Sequence, residues 1–312
     1  MADSSVEVWK VKQYGANVYH LAQQKGSKFQ ALCRPENIIG ESKFLDILGP
    51  TTALDKVTRN QDTPNVSMNH YRRMITMSDK DWGTLIEDMD KARMIHDPKS
   101  PYLEAAVNAF GRKKDDMFLN AFIANAFEEK DGGTSTAFPT SQKICATTGT
   151  AFSDLNLNAL LLLKRSFDEK DLDPELPRFI GVTPKDIISL LNTTEIKNAD
   201  YNTVKALAEG KIDTFMGFKF IMSNRLLTKA WGKFDLATGL SSASGTDSTA
   251  TNRILPAWVG NDAMIYGYGI EPKVEMAKRA DKSFNEQLYI SMSLGFMRME
   301  DAKCMTVTVK GN

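Results

Sequence analysis

The segment that most narrows what this chain can fold into lies between Ser100 and Phe127. Ser100 can cap a helix, Pro101 suits its first position, and Glu104 lies near the positive end of the first turn. From there a helix can run unbroken to about Phe127, roughly 40 Å at 1.5 Å per residue and far beyond the ~11–12-residue mean. Leu103, Val107 and Phe110 form one apolar stripe, and Met117 (or Phe118) with Phe122 forms another. Arg112-Lys-Lys-Asp-Asp116 separates the two. A helix apolar at both ends and charged at its middle spans a flat domain better than it fills a round one.

What precedes this helix is thin. Residues 47–77 show no helical period; two extended stretches, Thr52–Arg59 and Ser67–Met77, flank the turn-rich Asn60-Gln-Asp-Thr-Pro-Asn65. The outgoing stretch lacks the in/out alternation of a half-buried hairpin, and a two-stranded ribbon without a buried face is marginal by itself. It is either floppy or supported by another chain. Arg59, His70, Arg72 and Arg73 make it basic; a solvated face and a subunit contact explain that equally well. Further upstream, Val11, Tyr14, Val18 and Leu21 recur at 3-4-3 spacing, which predicts a helix from Val6 to about Lys25, weakened by Gly15. So narrow a stripe must lie against something, either its own domain or a neighbouring subunit. Between ribbon and long helix, Ser78-x-x-Asp81 resembles a capping box, and Trp82, Ile86, Met89 and Arg93 share one face of a predicted helix.

Beyond the break at Asp131-Gly-Gly-Thr-Ser-Thr136, the pattern from Ser153 to Leu227 alternates. Ser153 caps a predicted helix to Lys170, with Leu157, Leu160, Leu161 and Lys164 in period. Arg178–Val182 reads as a strand, Pro184–Leu191 and Thr203–Glu209 as helices, and Lys211–Ser223 as two strand segments bent at Gly217. Residues 240–251 are too polar to fold alone and read as a loop. Val274–Asp281 and Gln287–Met297 look like paired strands joined near Lys282-Ser-Phe-Asn285, with Leu288, Ile290, Met292, Leu294 and Phe296 on one face. Met305, Val307 and Val309 make a last strand.

The totals exclude several classes. Lys+Arg and Asp+Glu are both 39, so the chain lacks the basic excess of a dedicated nucleic-acid binder, and near-zero net charge favours association. No stretch approaches the ~18 apolar residues that span a bilayer. The beginning carries no basic and apolar signal segment, so synthesis in a cytosol is expected. Cys33, Cys145 and Cys304 are dispersed and suit buried, reduced thiols. Phosphate-cradling and nucleophile-elbow patterns are absent: Tyr266-Gly-Tyr-Gly-Ile-Glu271 and Gly239-Leu-Ser-Ser-Ala-Ser-Gly245 have the wrong spacing. His20, His70 and His96 lie in three separate segments; the acidic pairs Glu87-Asp88, Asp115-Asp116 and Glu128-Glu129 could ligate Mg²⁺ in principle, while Asp88, four residues on from Thr84, sits on the polar side of its helix, where a solvated role is the default. No catalytic residue, cofactor or metal site is assigned. The 15 methionines fit core filling or a surface adapted to several slightly different neighbours.

In order, the parts are an arm helix, a basic ribbon, a capped helix, a very long helix, a compact α/β region and returning strands. This order, with Arg59-Asn-Gln-Asp-Thr-Pro64, Asp81-Trp-Gly-Thr-Leu-Ile-Glu-Asp-Met-Asp-Lys-Ala-Arg93, Ala105-Ala-Val-Asn-Ala-Phe-Gly-Arg-Lys-Lys-Asp-Asp116 and Arg279-Ala-Asp-Lys-Ser-Phe284, resembles the major capsid proteins of tailed bacteriophages. The resemblance covers nearly the whole chain and implies the Hong-Kong-97-like fold, of α+β class. It implies an N-terminal arm at 1–40 and an extended β-hairpin loop at 41–78 that lies over the adjacent subunit. It also implies a peripheral domain at 79–149 and 266–312, with its spine helix at 101–127, and an axial α/β domain at 150–265. The implied role is a structural coat protein assembling as hexamers and pentamers into an icosahedral head around double-stranded DNA. Assembly would take place in the host bacterial cytoplasm and the product would be the virion. Because the arm helix begins within the first ten residues, a separate scaffolding protein is expected, with a portal as a further partner and room for a decoration protein. Packaged DNA would be contacted weakly, non-covalent shells are expected, and no membrane is involved. Candidate subunit contacts are Arg59, His70, Arg72, Arg73, Val11, Tyr14 and Val18, with Arg59, Arg72 and Arg73 expected to meet acids on a neighbour. The rival readings are a cellular encapsulating compartment with the same fold and a cytosolic α/β enzyme.

Overall fold

A computed structural model describes residues 23–63, 65–87, 99–128, 130–148, 151–192, 214–228, 233–234, 241–242 and 252–311. Strands β1 (Arg34–Asn37), β2 (Ser42–Leu48), β3 (His70–Thr76) and β4 (Ser78–Ile86) precede a helix at Lys99–Ile123. Strands β5 (Ala126–Glu128), β6 (Thr134–Thr136), β7 (Lys143–Cys145), β8 (Thr147–Thr148) and β9 (Ala151–Phe152) lead to a helix at Leu157–Asp168. Then come β10 (Arg178–Val182), a helix at Pro184–Leu191, β11 (Thr214–Phe215), β12 (Phe218–Met222), β13 (Lys233–Phe234) and β14 (Ser241–Ser242). The chain closes with β15 (Arg253–Val259), β16 (Met264–Lys278), β17 (Glu286–Arg298) and β18 (Cys304–Val309).

The long helix has 25 residues and ends at Ile123, short of the expected Phe127, because residues 126–128 pair as a strand. Arg298 satisfies its last carbonyls, donating to Phe122 O at 2.7 Å and Ala124 O at 3.0 Å. Its buried face is Ala106, Asn108, Phe110, Asp115, Phe118, Leu119, Phe122 and Ile123; Val107, assigned to the stripe, is exposed. The helix lies against β17, and Ile290, Met292 and Leu294 on β17 alternate inward as expected.

Ser78–Ile86 is a strand and not the predicted helix. It pairs antiparallel with β17, from Ser78 opposite Leu294 to Ile86 opposite Glu286, and its burial alternates with period two. Trp82 and Ile86 are four apart and fit either period; β17 supplies the ladder that settles it. Met89 and Arg93 lie outside the described residues. So do the arm positions 6–22, the predicted helix at 203–209 and most of the loop at 240–251; residues 23–25 are not helical.

Four strands form one sheet in the order β1-β16-β17-β4, and six form another, β11-β12-β10-β15-β18-β7. The strand at Arg178–Val182, the helix at Pro184–Leu191 and the bend at Gly217 match the sequence reading. Thr183 and Asp186 cap that helix reciprocally. The Leu157–Asp168 helix is capped by Asn156, which accepts from Ala159 N at 2.8 Å, and not by Ser153; Ala159, Leu160, Leu163 and Phe167 face the core while Leu161 faces out.

One core joins both sheets. The Trp258 ring lies 5.3 Å from Phe118, 5.4 Å from Phe179, 6.1 Å from Phe122 and 6.2 Å from Phe29, and all five are buried. Phe118→Ala removes the ring that touches most of this cluster and is expected to cost about 3–5 kcal/mol in a denaturant titration. A cost close to zero would show that the rings do not act as one core.

Candidate assembly interface

The ribbon begins as a regular ladder. β2 and β3 pair from Ser42 opposite Thr76 to Leu48 opposite His70. The expected incoming strand at Thr52–Arg59 does not form; Ser42–Leu48 takes its place, and residues 49–69 hold no strand among those described. Every described residue from Pro50 to Tyr71 is exposed, including Leu54, Met68 and Val57 at 82%. Apolar side chains lifted clear of their own core mark a surface awaiting a partner.

The root is different. Arg73 is 7% exposed, and its guanidinium grips Asp301 with two nitrogens, at 3.1 and 2.7 Å, and Glu128 at 2.8 Å. It also donates to Arg298 O at 2.9 Å. Arg298, 1% exposed, donates to Asp301 from the other side and lies 4.9 Å from the Phe138 ring. Burial alone would raise the Asp301 carboxyl's pKa, but hydrogen bonds and charge from Arg73 and Arg298 win and hold it below the usual range. Burial likewise opposes the charge on Arg73, and Asp301 and Glu128 outweigh it. The clamp ties β3, β5, β17 and the turn after β17 into one node. Nothing local in the sequence marks it, since Arg73 lies 55 residues from Glu128 and 228 from Asp301.

Of the candidate contacts, Arg73 is therefore engaged inside its own chain, which corrects the expectation that it reaches a neighbour's acid. Arg72 faces Asp46 across the ladder at 2.6 Å, on the outer face. His70 and Arg59 are exposed, at the end of β3 and in the ribbon tip. Val11, Tyr14 and Val18 lie outside the described residues.

A second fastening holds the segment that leads in from the arm. Asp115 is fully buried and accepts from Gln24 Nε2 and Ser27 Oγ at 2.5 Å each and from Lys28 N at 3.0 Å. Gly26 passes so near the helix that a Cβ on Gly111 would fall 2.5 Å from its carbonyl carbon. Asp116 pairs with Arg225 at 2.5 Å. Among the described residues no three His, Cys, Asp or Glu side chains cluster as a metal site, and the three cysteines are buried thiols.

A family model for phage capsid proteins matches residues 6–310. The chain belongs to the phage capsid protein family. No protein of curated function matches it. Among solved structures, the capsid of cyanophage P-SCSP1u superposes with a TM-score of 0.73 at 20% identity, over 98% of this chain and 95% of that one. The capsid of Ralstonia phage GP4 gives 0.72 at 11% identity over 97% and 96%. The capsid of Helicobacter pylori bacteriophage KHP30 gives 0.71 at 9% over 99% and 97%. The Hong-Kong-97-like α+β capsid fold expected from the order of parts is the fold of this capsid protein, and its role is that of a structural major capsid protein of the phage head.

Because the Asp301 pKa is depressed, its share of stability is complete above the ordinary carboxylate range, near pH 4, and is lost as pH falls through its lower folded value. Asp301→Asn leaves two buried arginines short of a charge and is expected to cost about 3–5 kcal/mol near neutral pH. The same substitution flattens the acid limb of stability, as read from urea midpoints between neutral and strongly acidic buffer. Asp46→Asn, which breaks only the outer pair, should leave the midpoints unchanged. Equal losses for both substitutions would contradict the assignment of the clamp.

Proposed function

We propose that this capsid protein works by geometry and not by catalysis. Copies close as hexamers and pentamers into an icosahedral shell around double-stranded DNA, each laying its ribbon across the next. The observation that carries this reading is the contrast along one hairpin. The root is locked by Arg73, while the tip, from Pro50 to Asn69, projects exposed apolar groups that its own chain does not cover.

In this reading residues 1–40 are the arm and 41–78 the extended loop. The peripheral part is 79–149 with 266–312, and the axial part is 150–265. The two parts share a sheet, since β18, with β7 on its far side, pairs with β15 in the six-stranded layer, and this junction suits a subunit that must hold its curvature. Arg59 and His70 are exposed basic groups that a neighbour can reach, and the half-exposed Arg72 is held on the outer face by Asp46. A separate scaffolding protein and a portal act during assembly in the host bacterial cytoplasm, with room for a decoration protein. The zero net charge favours close packing of copies and only weak adhesion to packaged DNA. No helix among the described residues is long and apolar enough to cross a membrane.

Negative-stain microscopy of the expressed protein, with and without a co-expressed scaffolding protein, tests the reading. Shells that need the scaffold support it. Scaffold-free shells point to a cellular compartment, and persistent monomers or dimers contradict a shell role. Val57→Asp should lower shell yield about tenfold, the effect of losing one buried aliphatic contact. Its melting temperature as a free subunit should not change; normal yield would remove the tip from the interface.

A further inference from the structure

The β1-β16-β17-β4 sheet has an open flank. Strand β17 is covered on both sides, by β16 and by β4. Strand β16 is not. β1 accompanies it only from Ile265 to Tyr268, after which Gly40, at φ +102°, turns the chain away towards β2. No described strand lines the edge of β16 from Gly269 to Lys278.

The side chains on this flank match its open edge. Val274 stands opposite Ile290, and Met276 opposite Leu288, so each shares the face of its β17 partner. Ile290 and Leu288 are buried at 0% and 2%, yet Val274 and Met276 are 44% and 56% exposed. The sheet's apolar face runs one strand past the body that covers it. Among the described residues, the strand therefore lacks a neighbouring strand at this edge and a cover over Val274 and Met276.

We infer that this edge joins a second copy of the chain, β16 against β16, antiparallel about a two-fold axis at Val274. The charge pattern selects both the partner and the register. With Val274 on the axis, Lys273 of each copy faces Glu275 of the other. Moving the axis to Lys273 sets Lys273 against itself and Glu271 against Glu275, and moving it to Glu275 sets that carboxylate against itself. An axis at Pro272 also opposes Glu271 and Lys273, but it centres the ladder on two residues that have no N–H to give. Of these registers, only the one centred on Val274 sets opposite charges against each other without placing Pro272 on the axis.

In that register Val274 meets its own copy on the face that carries Ile290, and Met276 of each copy stands opposite Pro272 of the other. Lys273 and Glu275, which pair within one chain at 2.6 Å, form a four-charge cluster on the other face. A self-complementary contact of this kind closes at two copies, and Pro272 with Lys273 discourages further strands from adding. The inference deepens the shell reading and rests on it, by naming one contact between neighbouring subunits.

The test uses the full chain carrying Val274→Cys. The native thiols are all buried, so a short bis-maleimide reacts at position 274 alone. Assembled particles should give a covalent dimer on a denaturing gel. Adding Lys273→Glu should lower dimer yield about tenfold, because both symmetric pairs turn repulsive, and adding Glu275→Lys to that variant should restore it. Shells that form normally while position 274 stays monomeric would overturn the edge pairing and leave the shell role standing. Neither shells nor dimers would overturn both. Should Val274→Cys fail to fold, shell yield across Lys273→Glu and the charge-swapped double variant carries the same test, and equal yields would overturn the inference.

Discussion

The buried grip of Arg73 on Asp301 is the constraint on which the rest of this subunit depends. It joins places far apart in the chain: the ribbon root on β3, β5 after the long helix, and the turn that follows β17. Arg298 extends the node by closing the carbonyl end of the long helix. Buried ion pairs add little net stability over an apolar substitute, but they tolerate few geometries once formed. Here that intolerance fixes the direction in which a ribbon with almost no core of its own leaves the body. A shell subunit needs such a fixed direction, because its contacts are repeated across every copy.

Around this node the chain divides its apolar surface in two. One part is internal and continuous: the rings around Trp258 tie the long helix, both larger sheets and the lead-in segment at Phe29 into one core. Asp115 seats that segment by taking up its donors at the middle of the helix. The other part is displayed, on the ribbon tip and along the open flank of β16. A monomer gains nothing from exposing Val57 or Met276. A subunit that completes its packing on its neighbours does.

Much of this was legible in the sequence, and the exceptions have physical causes. The long helix showed itself through Pro101 near its start and the unbroken run that follows, and the β16–β17 hairpin through alternation on β17, because both signals are local; Ser100, expected as the cap, lies inside the helix. Ser78–Ile86 misread as helix because Trp82 and Ile86 satisfy both periods, and the ladder that decides between them comes from β17, far along the chain. Arg73 reads as a surface charge for a related reason, and nothing near Asp115 in the sequence signals its burial. A run such as Arg112-Lys-Lys-Asp-Asp116 looks solvated until the partners of one member arrive from the lead-in segment. The functional class came through in the order of parts, while the contacts that carry it depend on long-range pairing and on exposure that no single segment encodes.

Hydrogen–deuterium exchange of the free subunit and the assembled particle tests the central claim most directly. The account predicts that residues 70–76 are protected in both states, held by the clamp. It predicts that 50–69 and the β16 edge from 270 to 278 exchange quickly in the free subunit and slow markedly in the particle. Slow exchange of those two segments in the dilute monomer, or unchanged fast exchange after assembly, would contradict it.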